Sequence, residues 1–243
     1  MSIFVLVHGA WHGSWCWHKL VPILEAAGHH VVAPDLPGHG SDITPIAGLT
    51  LDDYADGLAS TVVAQSEPVI LVGHSLGGAV ITQAAEYCPG DVHRLVYLAA
   101  YVPGDGESVA DWALQDVDSL LSKFLEVDWS GSRLKIDRSG ASDCFYGDCS
   151  ESDRAYAARR LCTDPLSPVT QPLCLTRDGV GRVPAGYVEC LQDRAVSPAM
   201  QRQMQTQRSF QWVHALDSAH SPFFSQPESL ANILMTPGGR SEG

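Results

Sequence analysis

Residues 68–79 read Pro68-Val69-Ile70-Leu71-Val72-Gly73-His74-Ser75-Leu76-Gly77-Gly78-Ala79. The apolar, β-branched run Pro68–Val72 predicts a buried strand. A helix of small residues is expected over Gly77–Tyr87, ending near Pro89-Gly90. Between them stands Gly73-His74-Ser75-Leu76-Gly77, a G-x-S-x-G sequence. A serine squeezed between strand and helix must adopt a strained backbone conformation. Flanking glycines let neighbouring segments pass without Cβ clashes. The hydroxyl is then held above the sheet edge, at the positive end of the helix. The same letters occur in ordinary glycine-rich turns. The strand–turn–helix context is what makes Ser75 a candidate nucleophile.

Outward from this point the chain alternates strands and helices. Strands are expected at Ile3–Val7, His30–Ala33, Arg94–Ala99, Gly186–Cys190 and Phe210–Ala215. Helices are expected at Trp17–Ala27, Leu51–Ala64, Pro198–Thr206 and Pro227–Leu234. Gly28 suits the position after a helix, and Asp52 and Asp53 suit the positive end of one. Such alternation implies a parallel sheet covered on both faces. The rhythm breaks between Pro103 and about Pro184. Residues 1–102 and 185–243 therefore read as one core, with 103–184 inserted over it as a cap. Gly238–Gly243 reads as a frayed tail.

A serine hydroxyl needs a base, and the base needs an orienting acid. His93, His214 and His220 are the histidines after Ser75. His93 falls at the wrong end of its strand and His214 inside the last one. His220 lies in the loop after that strand, where an imidazole reaches the carboxyl edge of the sheet. Asp193 follows the strand Gly186–Cys190 at the same edge and is the candidate acid. Asp217, close to His220 in sequence, and Asp105, after the fourth strand, are its rivals. The first strand runs into His8-Gly9-Ala10-Trp11-His12-Gly13. Gly9 and Gly13 are expected to allow turns that direct the amides of Ala10 and Leu76 into an oxyanion hole. His8 reads as packing beneath the loop. Trp11, His12 and His74 are candidate pocket residues, as are Trp112, Trp129, Phe145 and Tyr146 in the inserted segment.

The composition excludes other chemistries. The chain has 243 residues, 45% hydrophobic and 18% charged, too apolar for disorder. A formal charge of −13 disfavours nucleic acid and, mildly, strongly anionic substrates. No apolar run approaches the roughly 18 residues of a membrane span. No basic leader is read at the N-terminus, so a cytoplasmic protein is expected. The seven cysteines lack zinc spacing and read as reduced hydrophobes, although Cys144 and Cys149 are close enough in sequence to bridge. No metal or organic cofactor is expected, and a homodimer is left open.

The chain resembles the α/β-hydrolase superfamily. The opening Phe4-Val5-Leu6-Val7-His8-Gly9-Ala10-Trp11-His12-Gly13-Ser14-Trp15 is similar to plant salicylate-type methylesterases and hydroxynitrile lyases. The segments Gln201–Gln205 and Ser218–Phe224 are similar to bacterial pyrethroid-hydrolase-like carboxylesterases. The likeness covers about residues 3–102 and 184–234 and is weak in the inserted segment. It implies an α/β-hydrolase fold: a mostly parallel central sheet, helices on both faces and a mainly helical cap. In that family the acid lies in a segment like Gln192-Asp193-Arg194, which favours Asp193. The lyases carry a threonine where Gly9 stands and a lysine where Ser221 stands, so cyanohydrin cleavage is disfavoured. Dehalogenases and epoxide hydrolases need an aspartate where Ser75 stands. The resemblance implies a serine hydrolase of small, apolar or aromatic carboxylic esters, acting through an acyl-enzyme. A lactonase or another biosynthetic hydrolase using the same triad, or a slow-turnover small-molecule receptor, are the other readings.

Overall fold

The computed structural model describes residues 1–236; the expected tail Gly238–Gly243 lies outside the described residues. The chain opens with β1 (Ile3–Val7), a 3-10 turn at Ser14–Trp17, α1 (Leu20–Ala26) and β2 (His30–Val32). Then follow α2 (Leu51–Val63), β3 (Val69–His74), α3 (Gly77–Tyr87) and β4 (Val92–Leu98). The helix expected at Trp17–Ala27 is thus broken. Pro22 has no N–H to give to the preceding turn, so the regular helix starts only at Leu20, with Pro22 in its first turn.

After the inserted segment come β8 (Ala185–Cys190), α8 (Pro198–Met204), β9 (Trp212–Leu216), α9 (Pro222–Ser225) and α10 (Pro227–Met235). Six strands form one sheet in the order β2-β1-β3-β4-β8-β9. Every pairing in it is parallel. β1, β3 and β8 are buried along their whole lengths, as a sheet covered on both faces requires.

Between β4 and β8 the chain forms α4 (Val109–Ala113), β5 (Leu125–Asp128), β6 (Arg133–Ile136), α5 (Arg138–Phe145), α6 (Glu151–Ala158), β7 (Asp164–Pro165) and α7 (Ser167–Thr170). The three strands make a separate antiparallel sheet, β5-β6-β7. The sequence reading expects mainly helix here and misses this small sheet.

The topology places the site. From β1 the chain steps to β2 on one side, and β3 then pairs on the other side of β1. The loops leaving β1 and β3 therefore diverge at their carboxyl ends. In an open parallel sheet, such a reversal of strand order opens a crevice where ligands bind.

Candidate active site

Ser75 follows the last residue of β3 and takes the left-handed conformation, φ 53°. For a residue with a Cβ this costs roughly 1–2 kcal/mol and must be held by its surroundings. Its N–H donates to the Leu98 carbonyl (3.2 Å), and its own carbonyl accepts from Gly78 (3.0 Å) and Tyr101 (3.2 Å). A Cβ on Gly77 would lie 2.8 Å from the carbonyl oxygens of both Val7 and His8, so only glycine lets α3 start this close to β1.

His220 and Asp193 stand at the same carboxyl edge, beyond β9 and β8. His220 Nδ1 lies 2.6 Å from Asp193 Oδ2, with both residues buried. Asp193 Oδ1 accepts the N–H groups of Ala195 (2.7 Å) and Val196 (3.0 Å). The His220 carbonyl accepts from His74 Nε2 (2.9 Å), and the two rings lie 4.4 Å apart. The neighbour of Ser75 in sequence thus packs directly on the imidazole. Among the described residues no hydrogen bond joins the Ser75 hydroxyl to the His220 ring; catalytic contacts of this kind often tighten only with substrate.

Asp217 instead accepts from Gln192 in an exposed loop, and Asp105 accepts from the Leu175 amide. Gln201, which sequence reasoning overlooked, is fully buried beneath Asp193. Its Nε2 reaches Asp193 Oδ2 (3.1 Å) and the Val196 carbonyl (2.8 Å), and its Oε1 accepts the Cys190 N–H (2.9 Å). Gln201, Arg202 and Gln203 all stand between Met200 and Met204 on α8, so nothing local marks Gln201.

The turn after β1 is made by Trp11 (φ 60°), not by Gly9 or Gly13 as expected. Gly9 is needed for space: a Cβ there would lie 2.8 Å from the Ser75 Cβ. The amides of Ala10 and Leu76 belong to residues that line a cavity together with Ser75. Among the described residues neither amide donates to another group. His8 does more than pack. One ring nitrogen faces the Gly9 carbonyl (2.9 Å) and the other accepts the Leu36 N–H (3.1 Å), so Nδ1 carries the proton. His12 Nδ1 likewise donates to the Ala10 carbonyl (2.7 Å), leaving Nε2 to accept from the Tyr146 hydroxyl (2.7 Å). Burial pushes the pKa of His8 down to about 3 and that of His12 down to about 4. Burial also drives His74 well below the ordinary imidazole value, and the nearby His220 adds to the effect.

The cavity has a volume of about 260 Å³. Its far walls come from the segment between β4 and β8, with aliphatic side chains such as Val109, Leu121, Leu125 and Leu166. Of the expected pocket residues, Trp11 and Trp129 line it; His12, His74, Trp112, Phe145 and Tyr146 do not. The reasons are local. On α4, Val109, Ala110 and Ala113 face the cavity, which turns Trp112 to another side, where its Nε1 donates to Glu107 (2.9 Å). Phe145 packs behind His220 (5.7 Å between rings), while Tyr146 and His74 are spent on His12 and the His220 carbonyl. A larger, open groove of about 700 Å³, lined by Arg177, Arg182 and Arg208, does not include Ser75.

All seven cysteines are free, so Cys144 and Cys149 do not bridge. Among the described residues, one group of metal-ligand type atoms converges, in His39, Cys162 and Asp164. Its atoms already serve one another. His39 Nε2 pairs with Asp164 Oδ1, both buried. Burial opposes charge on His39, but the Asp164 carboxylate outweighs it and raises the imidazole to about 11. The group is an ion pair between the core and the inserted segment.

A model described as "Alpha/beta hydrolase family" matches residues 4–233. Putative methylesterase 11, chloroplastic, of Arabidopsis thaliana is 32% identical over 244 residues, covering 96% of this chain. The chain spans 63% of that relative's length. Methylesterase 2 of Arabidopsis thaliana is 30% identical over 253 residues, covering 96% of this chain and 94% of the relative. Among solved structures, a pyrethroid hydrolase from Sphingobium faniae JZ-2 superposes with a TM-score of 0.85 at 28% identity, covering 96% of this chain and 95% of that one. A methylesterase protein from Arabidopsis superposes with a TM-score of 0.84 at 26% identity, over 96% and 97% of the two chains.

Proposed function

Since the chain belongs to the alpha/beta hydrolase family, we propose that it is a serine esterase that cleaves small, neutral, apolar or aromatic carboxylic esters. The observation that carries this reading is the apolar cavity lined by Ser75 together with Ala10 and Leu76, two residues whose amides are unengaged among the described residues. The His220–Asp193 pair at the same sheet edge supports it. So do the relatives named as methylesterases and a pyrethroid hydrolase.

In this mechanism the ester carbonyl sits with its oxygen toward the two amides. Ser75 Oγ attacks the carbon while His220 Nε2 takes the hydroxyl proton. Asp193 fixes the tautomer and stabilises the imidazolium. The amides hold the tetrahedral oxyanion, and each such donor contributes about 3 kcal/mol. His220 returns the proton to the leaving alcohol as the C–O bond breaks. A water, deprotonated by His220, then attacks the acyl-enzyme and releases the acid and Ser75.

Residues 103–184 act as the cap, since they supply the far walls of the cavity. A volume of about 260 Å³ lies below the range usual for drug-sized ligands, which favours a small acyl group. A cytoplasmic setting belongs to the same proposal; seven free thiols fit a reducing compartment.

The test is steady-state hydrolysis of 4-nitrophenyl butyrate by the wild-type chain and by Ser75→Ala. The expected loss in kcat is at least about 10³-fold with the fold intact. Equal turnover by the variant overturns the assignment.

A further inference from the structure

Residue Ala10 joins two planar peptide units: its N–H belongs to the unit shared with Gly9 and its carbonyl to the unit shared with Trp11, so what holds the second unit also restrains the first through the Ala10 Cα. The unit joining Gly9 to Ala10 is held from the core. Its carbonyl accepts from the His8 ring (2.9 Å) and from the His12 N–H (3.4 Å). The unit joining Ala10 to Trp11 is held differently. Its carbonyl accepts from His12, whose other nitrogen is engaged by Tyr146 of the cap. Its N–H, that of Trp11, donates to Asp164 Oδ2 (2.9 Å), also from the cap.

Trp11 needs such holding because its φ of 60° is disfavoured for any residue with a Cβ. The cap grips it at two further points. The Trp11 carbonyl accepts from the Cys162 N–H (3.0 Å), and Trp11 Nε1 donates to the Leu134 carbonyl (3.2 Å). The second oxygen of Asp164 pairs with His39, whose Nδ1 faces the Pro37 carbonyl (3.1 Å). The carboxylate is thereby pinned between the loop after β2 and the loop after β1.

We propose that Asp164 is a positioning residue for the oxyanion hole: by accepting the Trp11 N–H from the cap, it fixes the Ala10–Trp11 peptide and, through the Ala10 Cα, steadies the adjoining peptide whose N–H is aimed at the substrate oxygen. The Ala10 side of the hole is then held from two directions, by the core through Gly9 and by β7 through Trp11. This rests on the serine-esterase reading above.

Three variants separate the role from general stability. Asp164→Asn keeps an acceptor for Trp11 and offers a donor to neutral His39. Asp164→Glu keeps the charge but moves the carboxylate by one methylene. Asp164→Leu/His39→Leu removes the acceptor without leaving a buried charge alone. Each is measured for kcat and KM on 4-nitrophenyl butyrate, and for inhibition by an alkyl trifluoromethyl ketone, which forms a tetrahedral oxyanion on the serine. The expected result for the glutamate and double-leucine variants is a fall in kcat of about 10- to 100-fold, with KM within about twofold. Affinity for the ketone falls by a similar factor, and the asparagine variant returns to within about threefold of wild type. If the double-leucine chain does not fold, the glutamate variant decides. Wild-type kcat and ketone affinity in the folded variants, or a rise in KM alone, overturn the positioning role. A wild-type chain that does not hydrolyse the ester overturns the esterase reading itself.

Discussion

At the scale of single residues, the site depends on side chains whose partners lie far away in sequence. Asp193 and His220 are 27 positions apart and meet at 2.6 Å. Asp193→Asn is predicted to lower kcat by about 10³- to 10⁴-fold, because the amide favours the wrong imidazole tautomer; steady-state kinetics with a folded variant check this. The buried, neutral histidines set a pH limit. The folded pKa values of His8 and His12, about 3 and about 4, lie below the unfolded value of 6.5, and His74 is lowered too. Their contribution to stability is therefore present above pH 6.5 and is lost as pH falls below it. Unfolding near pH 5.5 should take up roughly two to three protons through these rings. Urea midpoints measured from pH 7 to pH 5 should fall accordingly, and a flat profile contradicts the neutral assignment. His39 has the opposite sign. Raised to about 11, it contributes stability fully below pH 6.5 and loses it as pH rises toward 11. The candidates Ser75, His220 and Asp193 were picked out in sequence because a serine elbow, an acid and a histidine stand in that order at strand ends, and the structure brings His220 and Asp193 together. Gln201, Asp164 and the Tyr146–His12 pair were not, because no local pattern announces a hydrogen bond made across the fold.

At the scale of elements, boundaries in the core followed the apolar runs and the capping residues, except for the helix expected at Trp17–Ala27, which starts only at Leu20. Thr50 caps α2 with a reciprocal box: its side chain accepts the Asp53 N–H while the Asp53 carboxylate accepts the Thr50 N–H. Thr50→Ala is predicted to cost about 1 kcal/mol of stability and to leave kcat unchanged, as denaturant unfolding and ester hydrolysis would report. The small sheet β5-β6-β7 escaped the sequence reading for a physical reason. β5, β6 and β7 span only 4, 4 and 2 residues, and they are stabilised by pairing with one another and by docking on Trp11. Runs this short carry too little periodicity to be told from loop. The same segment shows why aromatic content misleads about a pocket. Trp112, Phe145 and Tyr146 lie outside the cavity, while Trp129 and aliphatic residues of the same segment line it.

At the scale of the whole molecule, six parallel strands with a reversal between β1 and β3 bring Ala10 and Ser75 to one crevice. No helix among the described residues is long and apolar enough to cross a membrane. Among the described residues no charged side chain lines the cavity beside Ser75, and the chain carries −13 overall. A carboxylate buried there would stay unpaired, which is costly. Esters whose acyl group ends in a carboxylate should therefore show kcat/KM values at least about tenfold below those of neutral analogues of equal length; comparable values would contradict the apolar reading. The central claim, an acyl-enzyme on Ser75, is tested most directly by acid-quenching the protein during turnover of 4-nitrophenyl butyrate and mapping the adduct by mass spectrometry. The account predicts a gain equal to one butyryl group on the peptide that contains Ser75, absent from Ser75→Ala. Turnover with no adduct on Ser75, or with the acyl group on another residue, would contradict it.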